Sequence, residues 1–406
     1  MSQPLHIGIT GYIGTDHVAQ WLKGDTSTLP KGQENAPLVG VLIGELLKQG
    51  HKVSAFTTDL SLYKNPEIIK ASGPNFDLYI CPERPRAWRF NKFRLGRAVD
   101  GFAYERSNLL KAIQIAKPDI IHAHWTYEFA MPAIKSGIPH LITCHDAPAV
   151  ILKFNPYPFR LIRYLMARWI FNKGKNFTAV SKYLAESVQH YTKNKISVVP
   201  NPIADFVLKI GHVRSQPETK RIGLICNGWD ARKNPQPSLL AFAKFKQLEP
   251  TTELHLFGHG FGINEEAQQW CQEQNITMGL IFHGATPHQQ LIDQLNHLDL
   301  LLHPALEETF CVAIAEAMAL GLPIVAGKYS GAIPDVVGIN DKSNTRYCAE
   351  LTDVTQPDKI LNSLITSFDN NYAERSLLGY QRARDLYTAT AVAKAYLNCY
   401  LEISLP

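Results

Sequence analysis

HPALEETFCVAIAEAMALGLPIVAGKYSGAIPDVV, residues 303–337, is the stretch on which the fold turns. It opens on the end of an apolar, strand-like run from Leu298 to Leu306 and turns through Glu307, Glu308 and Thr309. Small and apolar residues from about Phe310 to Leu320 predict a helix, which Gly321 stops. Pro323 then leads into a second buried strand ending at Ala326. Glu308 and Glu316 stand roughly 12 Å apart along such a helix, with the unpaired amides of its N-terminus near the first. Carboxylates accept from hydroxyls, and amides at a positive dipole end attract phosphate. The layout therefore suits a nucleotide-sugar, with hydroxyls at both ends and a pyrophosphate between them. Ala315, Ala317, Met318, Ala319 and Leu320 surround Glu316, and a charge on so apolar a helix is rarely buried without a partner.

Outward from this stretch, apolar strands alternate with helical segments. In the second half the strands are Arg221 to Cys226, Glu253 to Phe257, Thr277 to Phe282, Asp299 to Leu302 and Pro323 to Ala326. In the first half they are Leu5 to Thr10, Lys52 to Thr57, Asp119 to Ala123, His140 to Thr143, Asn176 to Val180 and Ile196 to Val199. A helix over Leu38 to Gln49 is closed by Gly50. Such alternation predicts parallel sheets covered by helices on both faces, an α/β class. Pro200 to Lys220, richer in proline and charge, reads as a hinge, and Gly379 to Ile403 as one long terminal helix.

At 406 residues the chain is too long for one ordinary core. With 45% hydrophobic and 19% charged residues, neither disorder nor a fibrous repeat is suggested. Seven cysteines without a CxxC pair read as reduced thiols of a cytosolic protein, not as a disulfide framework or zinc site. The start, MSQPLHIGITG, lacks the basic and apolar regions of a secretion signal, and no apolar run reaches membrane-span length. The formal charge of +5 is concentrated. Basic and aromatic residues interleave from Arg84 to Arg97 and again from Lys153 to Lys175, a pattern suited to an anionic membrane surface or a phosphate-bearing lipid acceptor. The bland alternative is a solvated helix face whose aromatics pack inward. No nucleic-acid module accompanies these residues, which argues against nucleic acid as a partner.

The pattern E-x-F-x-x-x-x-x-E-A-M-A-x-G-x-P-I-V, from Glu308 to Val325, resembles the donor-site signature of the family 4 glycosyltransferases. The similarity runs along nearly the whole chain: LKQGHKVSAFT at 47–57, KPDIIHAHW at 117–125, HLITCHD at 140–146, FTAVSKYL at 177–184, KISVVPNPI at 195–203, RKNP at 232–235, LFGHG at 256–260 and FHGATP at 282–287. The resemblance implies the GT-B fold, two Rossmann-like α/β/α domains facing a central cleft. Residues 1–203 would bind acceptor and 204–384 the nucleotide-sugar, with a terminal helix, about 385–406, crossing back to the first domain. It implies a retaining, cytoplasmic hexosyltransferase, held at most peripherally on the membrane and working on a lipid-linked or other cell-envelope glycan, or on a soluble small acceptor. The nucleoside diphosphate sugar is a substrate, so no cofactor is expected. With no Asp-x-Asp motif at the site, no metal is expected either.

By the same resemblance, Arg232 and Lys233 stabilise the leaving diphosphate. Glu308 orients sugar hydroxyls, Glu316 holds the ribose, and His124 positions the sugar from the opposing domain. Asn227, Gly228, Thr309, Phe310, Cys311 and Val312 complete the donor site, and His145 ends a strand where acceptor or sugar would lie. The chain departs from the family in having Gly228-Trp229 where Gly-Arg is common, and Thr309 and Cys311 where glycine is common. Side chains at those two positions would narrow the space above the sugar. Ser330-Gly331-Ala332 stands where relatives have a small-residue turn, and a plain structural turn is the alternative.

Two other functions compete. Gly8 to Gly14 (GITGYIG) resembles the nicotinamide loop of extended reductases and epimerases, but such a loop opens straight into a helix with an acid about 20 residues on. Here residues 15–37 read as a loop-like insertion, Asp59 lies far beyond, and Tyr191 and Lys195 precede a strand. A turn over Gly11, Tyr12, Ile13 and Gly14 that brings backbone close to phosphate or acceptor is the favoured reading. A sugar-nucleotide-binding scaffold without catalysis is the other competitor, and the presence of Glu308, Glu316 and Lys233 together speaks against it.

Overall fold

The computed structural model describes residues 4–34, 36–85, 96–339 and 347–404. Contacts divide the chain into two compact units, residues 1–202 with 389–406, and residues 203–388.

The first unit carries β1 (His6–Thr10), β2 (Lys52–Asp59), β3 (Ile69–Gly73), β4 (Phe76–Pro82), β5 (Ile120–His124), β6 (His140–Cys144), β7 (Phe177–Ala179) and β8 (Ile196–Val198). They form one sheet in the order β3-β4-β2-β1-β5-β6-β7-β8, parallel except for the edge strand β3. β1 lies between β2 and β5, so the order reverses there. Strand interiors such as Ile7, Ile9, Val53, Ala55 and Ile120 are wholly buried, as expected for strands covered on both faces. The helix Pro37–Lys48 begins with proline at its first position. Gly50, at a left-handed φ of 86°, ends it by donating to the Leu47 carbonyl.

The second unit carries β9 (Arg221–Ile225), β10 (Glu253–Phe257), β11 (Leu280–Gly284), β12 (Leu300–His303), β13 (Ile324–Gly327) and β14 (Ala349–Thr352). Its all-parallel order, β11-β10-β9-β12-β13-β14, reverses between β9 and β12. Open α/β sheets bind ligands at the carboxyl ends of strands beside such a reversal. That rule directs attention to the ends of β1 and β5 in one unit and of β9 and β12 in the other.

Three expectations change. Most of Pro200 to Lys220 is no hinge. Asp205–Ile210 is a helix, and the Arg214 guanidinium donates to the carbonyls of Asn296, Leu298 and Leu320, which ties the segment into the second unit. The terminal helix is two helices, Tyr372–Leu386 and Ala389–Ser404. The break falls where Tyr387 gives its carbonyl to the Ile203 amide and its hydroxyl to the Val336 carbonyl. Only the second helix joins the first unit, where Val392, Tyr396 and Tyr400 enter the core. Residues 15–37 are not simply loop: Thr15–Val18 is a helical turn, followed by a 3-10 turn at Ala19–Trp21.

The basic-aromatic segments also resolve differently from one another. Arg86 to Arg94 fall outside the described residues. Arg84 is buried against Glu105 and Asp100, and Arg97 pairs with Glu83, so both are structural ions. Along the helix Pro158–Lys173, Arg163, Met166, Ala167, Ile170 and Phe171 face inward. Tyr157, Leu161 and Leu165 form an outward stripe at helical spacing, 67%, 48% and 57% exposed, with Phe154 nearby in sequence.

Candidate active site

In the second unit the loop after β9 and the loop after β12 meet. Asn227 and Gly228 shape the first: the Asn227 side-chain oxygen accepts from the His259 amide, and Gly228 donates to the His259 carbonyl at φ 104°. Asp230 then accepts from the amides of Arg232 and Lys233, fixing the turn that carries both cations. Arg232 donates to the Glu307 carbonyl at 3.2 Å, with the Glu307 carboxylate 3.6 Å away. Lys233 Nζ reaches Glu308 Oε1 at 2.7 Å, and His303 Nε2 lies 3.7 Å from the same oxygen. Burial alone would raise the Glu308 carboxyl, but His303 and Lys233 outweigh it and hold the group well below the ordinary carboxylate range. Burial likewise opposes charge on His303, yet the Cys311 thiol at 3.2 Å and Glu308 push the imidazole up to about 9.

The helix begins later than expected, at Val312, because Cys311 caps it at a left-handed φ of 69°. A side chain there is strained, which gives a backbone reason why glycine suits this position. Phe310 turns its ring inward against Tyr387, so only its backbone can serve a ligand. Thr309 is partly exposed beside Glu308. The turn at Ser330 to Ala332 is tied to the same strip, since the Ala332 amide donates to the Glu308 carbonyl. Four helix residues on from Val312, Glu316 is buried and accepts from His288 Nε2 at 2.7 Å. This is the partner that its apolar helix demanded. His288 is raised above its ordinary range: burial opposes the shift, and the Glu316 bond drives it.

In the first unit the strand ends carry His124 and His145, whose Nδ1 and Nε2 lie 2.9 Å apart. Burial pushes His124 down to about 3, so it is a neutral imidazole, and its Nε2 has no hydrogen-bond partner among the described residues. Trp125, at φ 65°, stacks on His145 at 4.3 Å. His122 points into the core, between the Tyr400 hydroxyl and Thr143 Oγ1.

In the Gly11–Gly14 loop, expected to bring backbone close to phosphate or acceptor, two amides are committed within the fold. The amides of Gly11 and Ile13 already donate to the Phe56 carbonyl and Thr57 Oγ1, and neither glycine has a positive φ. Gly11 is small because a Cβ would lie 3.2 Å from His124 Cβ, and Ile13 is buried. Tyr12 is what the loop presents, with its hydroxyl 3.0 Å from Glu128 Oε1 and 2.8 Å from Arg163.

The structure therefore gathers Arg232, Lys233, Glu308 and Cys311 in one cluster, with Glu316 farther along the same helix. It places His124, His145 and Tyr12 at the corresponding edge of the first sheet. Sequence reasoning missed Glu307, His303 and His288. Two of these lie inside the quoted stretch, where a histidine closing an apolar strand was the available signal. Among the described residues, no three His, Cys, Asp or Glu side chains are placed to hold a metal ion.

Comparison with known proteins agrees with this geometry. The family model "Glycosyltransferase Family 4" matches residues 38–205, and "Glycosyl transferases group 1" matches residues 209–377. Protein CapJ of Staphylococcus aureus is 24% identical over 53% of this chain, a match spanning 48%, about half, of CapJ itself. The N-acetyl-alpha-D-glucosaminyl L-malate synthase of Bacillus anthracis is 25% identical over 78% of this chain and 81% of its own. Among solved structures, the sucrose-phosphate synthase of Thermosynechococcus elongatus superposes with a TM-score of 0.72 at 16% identity, covering 98% of this chain and 99% of that one. HepE of Anabaena, solved with UDP-glucose, gives 0.65 at 15% identity over 98% and 100%. WaaG, a glycosyltransferase of lipopolysaccharide biosynthesis, gives 0.64 at 14% identity over 97% and 99%. With two parallel α/β units and the two models adjoining along the sequence, the chain is a GT-B enzyme that belongs to the family 4 glycosyltransferases.

Proposed function

We propose that this glycosyltransferase moves a hexose-type sugar from a nucleoside diphosphate to an acceptor hydroxyl with retention of anomeric configuration, in assembly of a cell-envelope or lipid-linked glycan. The observation that carries the donor half is the Lys233–Glu308 pair at 2.7 Å with Arg232 beside it, all at the reversal of the second sheet. A cation bonded to a carboxylate that His303 also holds can turn to a diphosphate without stranding the carboxylate. Arg232 and Lys233 then neutralise the charge that grows on the leaving phosphate. Glu308 accepts from sugar hydroxyls, and Glu316, aligned by His288, from the ribose. His124 keeps the sugar contact implied by the resemblance, and its unpartnered Nε2 suits it to a hydroxyl. This account needs no metal, because cations and helix amides meet the diphosphate.

HepE binds UDP-glucose and WaaG acts in lipopolysaccharide biosynthesis, which supports a nucleotide-sugar donor and an envelope glycan. The stripe of Tyr157, Leu161 and Leu165, with Arg168 exposed on the same helix, supports peripheral contact with an anionic membrane. No described helix is long and apolar enough to cross one. The test is a panel of UDP-, GDP- and ADP-sugars scored by thermal stabilisation and slow hydrolysis. One donor raising the melting temperature and being hydrolysed supports the reading; a panel that does neither opposes it.

A further inference from the structure

The Cys311 side chain has a partner that capping a helix does not require. Its Sγ lies 3.2 Å from His303 Nε2, at the end of β12. The same nitrogen stands 3.7 Å from Glu308 Oε1, so one edge of the imidazole faces a sulfur and a carboxylate together. His303 is 3% exposed, and its Nδ1 has no hydrogen-bond partner among the described residues. Burial opposes charge on this ring, yet Cys311 and Glu308 raise it to about 9, so it is an imidazolium at neutral pH. The backbone of Cys311, at φ 69°, suits glycine, and the thiol is therefore carried at a cost in strain.

The other six cysteines are free thiols in a different setting. Cys81, Cys144, Cys226, Cys271 and Cys348 are at most 2% exposed, and burial pushes each thiol up. Cys399, on the last helix, is more exposed than Cys311, yet burial and then Glu402 raise its thiol as well. Thiols raised in this way are poor nucleophiles. Cys311 keeps 9% of its surface in solvent and has an imidazolium against its sulfur. We propose that Cys311 is a modification site, oxidised by hydrogen peroxide and then capped by a small thiol, and that its modification closes the donor pocket. The thiol gives up its proton, the sulfur attacks one peroxide oxygen, and the O–O bond breaks. The hydroxide that leaves takes a proton from His303 and departs as water, and the thiol's own proton restores the imidazolium. Sulfur loses two electrons and becomes a sulfenic acid. A small thiol displaces water from it to give a mixed disulfide, and excess thiol reduces that disulfide back to Cys311. Any group added to the sulfur adjoins Glu308 and the start of the helix Val312–Ala319. That these atoms receive a donor rests on the glycosyl-transfer reading above; the reactivity of the thiol does not.

The test treats the full, reduced chain with hydrogen peroxide, traps sulfenic acid with dimedone and locates the label by peptide mass spectrometry. Cys311 should label at least about tenfold faster than any other cysteine, Cys399 included. His303→Asn, checked by its melting curve, should slow labelling of Cys311 about tenfold and leave Cys399 as it was. Peroxide followed by glutathione should abolish binding of the nucleotide-sugar that the native chain takes from the UDP-, GDP- and ADP-sugar panel. Dithiothreitol should restore that binding, and Cys311→Ser, compared with its own untreated affinity, should lose none. Labelling of Cys399 before Cys311 overturns the proposal, because exposure alone then ranks the thiols. An unchanged Cys311 rate in a folded His303→Asn overturns it too; if that variant does not fold, the ranking of the seven cysteines in the native chain decides. A capped chain that binds the nucleotide-sugar as tightly as the reduced one overturns the closing of the pocket and leaves the transfer reading standing. If no nucleotide-sugar binds the reduced chain, the transfer reading falls and takes the closing of the pocket with it, while the labelling still decides the thiol site.

Discussion

Lys233–Glu308 in the second unit and Arg163–Glu128 in the first are both ion pairs of 2.7 Å, but they are held differently. The side chains of the former keep 14% and 17% of their surface in solvent and hang from two loops that follow β9 and β12. Those of the latter keep 10% and 7%, and the Tyr12 hydroxyl bridges both ions. A pair with accessible ends and a second cation standing by, His303, can exchange partners when a diphosphate arrives. A pair buried this deeply and bridged by a third group is a wall, and a wall fixes the shape of what it surrounds. The contrast separates a charge that acts from a charge that shapes.

The largest effect should come from breaking the wall. Glu128→Ala leaves Arg163 buried without its carboxylate, a loss of about 3–5 kcal/mol. For a unit of this size it should lower the melting temperature by at least about 6 °C in a circular-dichroism melt, at roughly 2–4 °C per kcal/mol. An unchanged melt would mean that the first pair is as adjustable as the second. Glu308→Gln in the acting pair should weight the two effects the other way: turnover falls by about 10²-fold or more, with a smaller melting loss than in Glu128→Ala. If its melting loss matched that of Glu128→Ala, the distinction would collapse.

Acidity sharpens the same contrast. Glu308 has its carboxyl lowered on folding, so its stabilisation is present at neutral pH and is lost as pH falls through its depressed value. His303 is raised from 6.5 to about 9, so its stabilisation is complete below 6.5 and fades as pH climbs to about 9. Melting temperatures measured from pH 6 to 9.5 should therefore decline on the alkaline side, and His303→Asn should flatten that decline. A curve of the same slope in the variant would remove His303 from the cluster. The smallest effect belongs to the far end of the helix. His288→Ala should weaken nucleotide binding several-fold, about 1 kcal/mol, through loss of one hydrogen bond that aligns Glu316. Titration calorimetry that finds equal affinity would leave Glu316 without a positioning partner.

Much of the acting cluster was legible in the sequence because its parts are local, although Glu307 and His303 were passed over as site residues. Glu307, Glu308 and Cys311 sit in one strand-turn-helix passage, and Arg232 and Lys233 are adjacent after another strand. The wall was not legible. Arg163 and Tyr12 are 151 positions apart, and no period or motif links them until the sheet folds. Strand interiors read well from their continuous apolar runs. β3 and β4 were missed although their turn, Gly73-Pro74-Asn75 with Asn75 at φ 57°, carries a recognisable signal. β14, Ala349–Thr352, is four residues of mixed polarity and has none. The break between the last two helices involves neither glycine nor proline; tertiary bonds to Ile203 and Val336 decide it, and no local rule sees those.

The claim on which the rest depends is that Lys233 meets the donor's phosphates. Titrating UDP-, GDP- and ADP-glucose into the native chain and into Lys233→Ala, with turnover measured alongside, tests it directly. The account predicts one nucleotide-sugar that saturates the native protein, with turnover at least about 10²-fold lower in the variant and its melting temperature preserved. A variant that turns over at the native rate would contradict it.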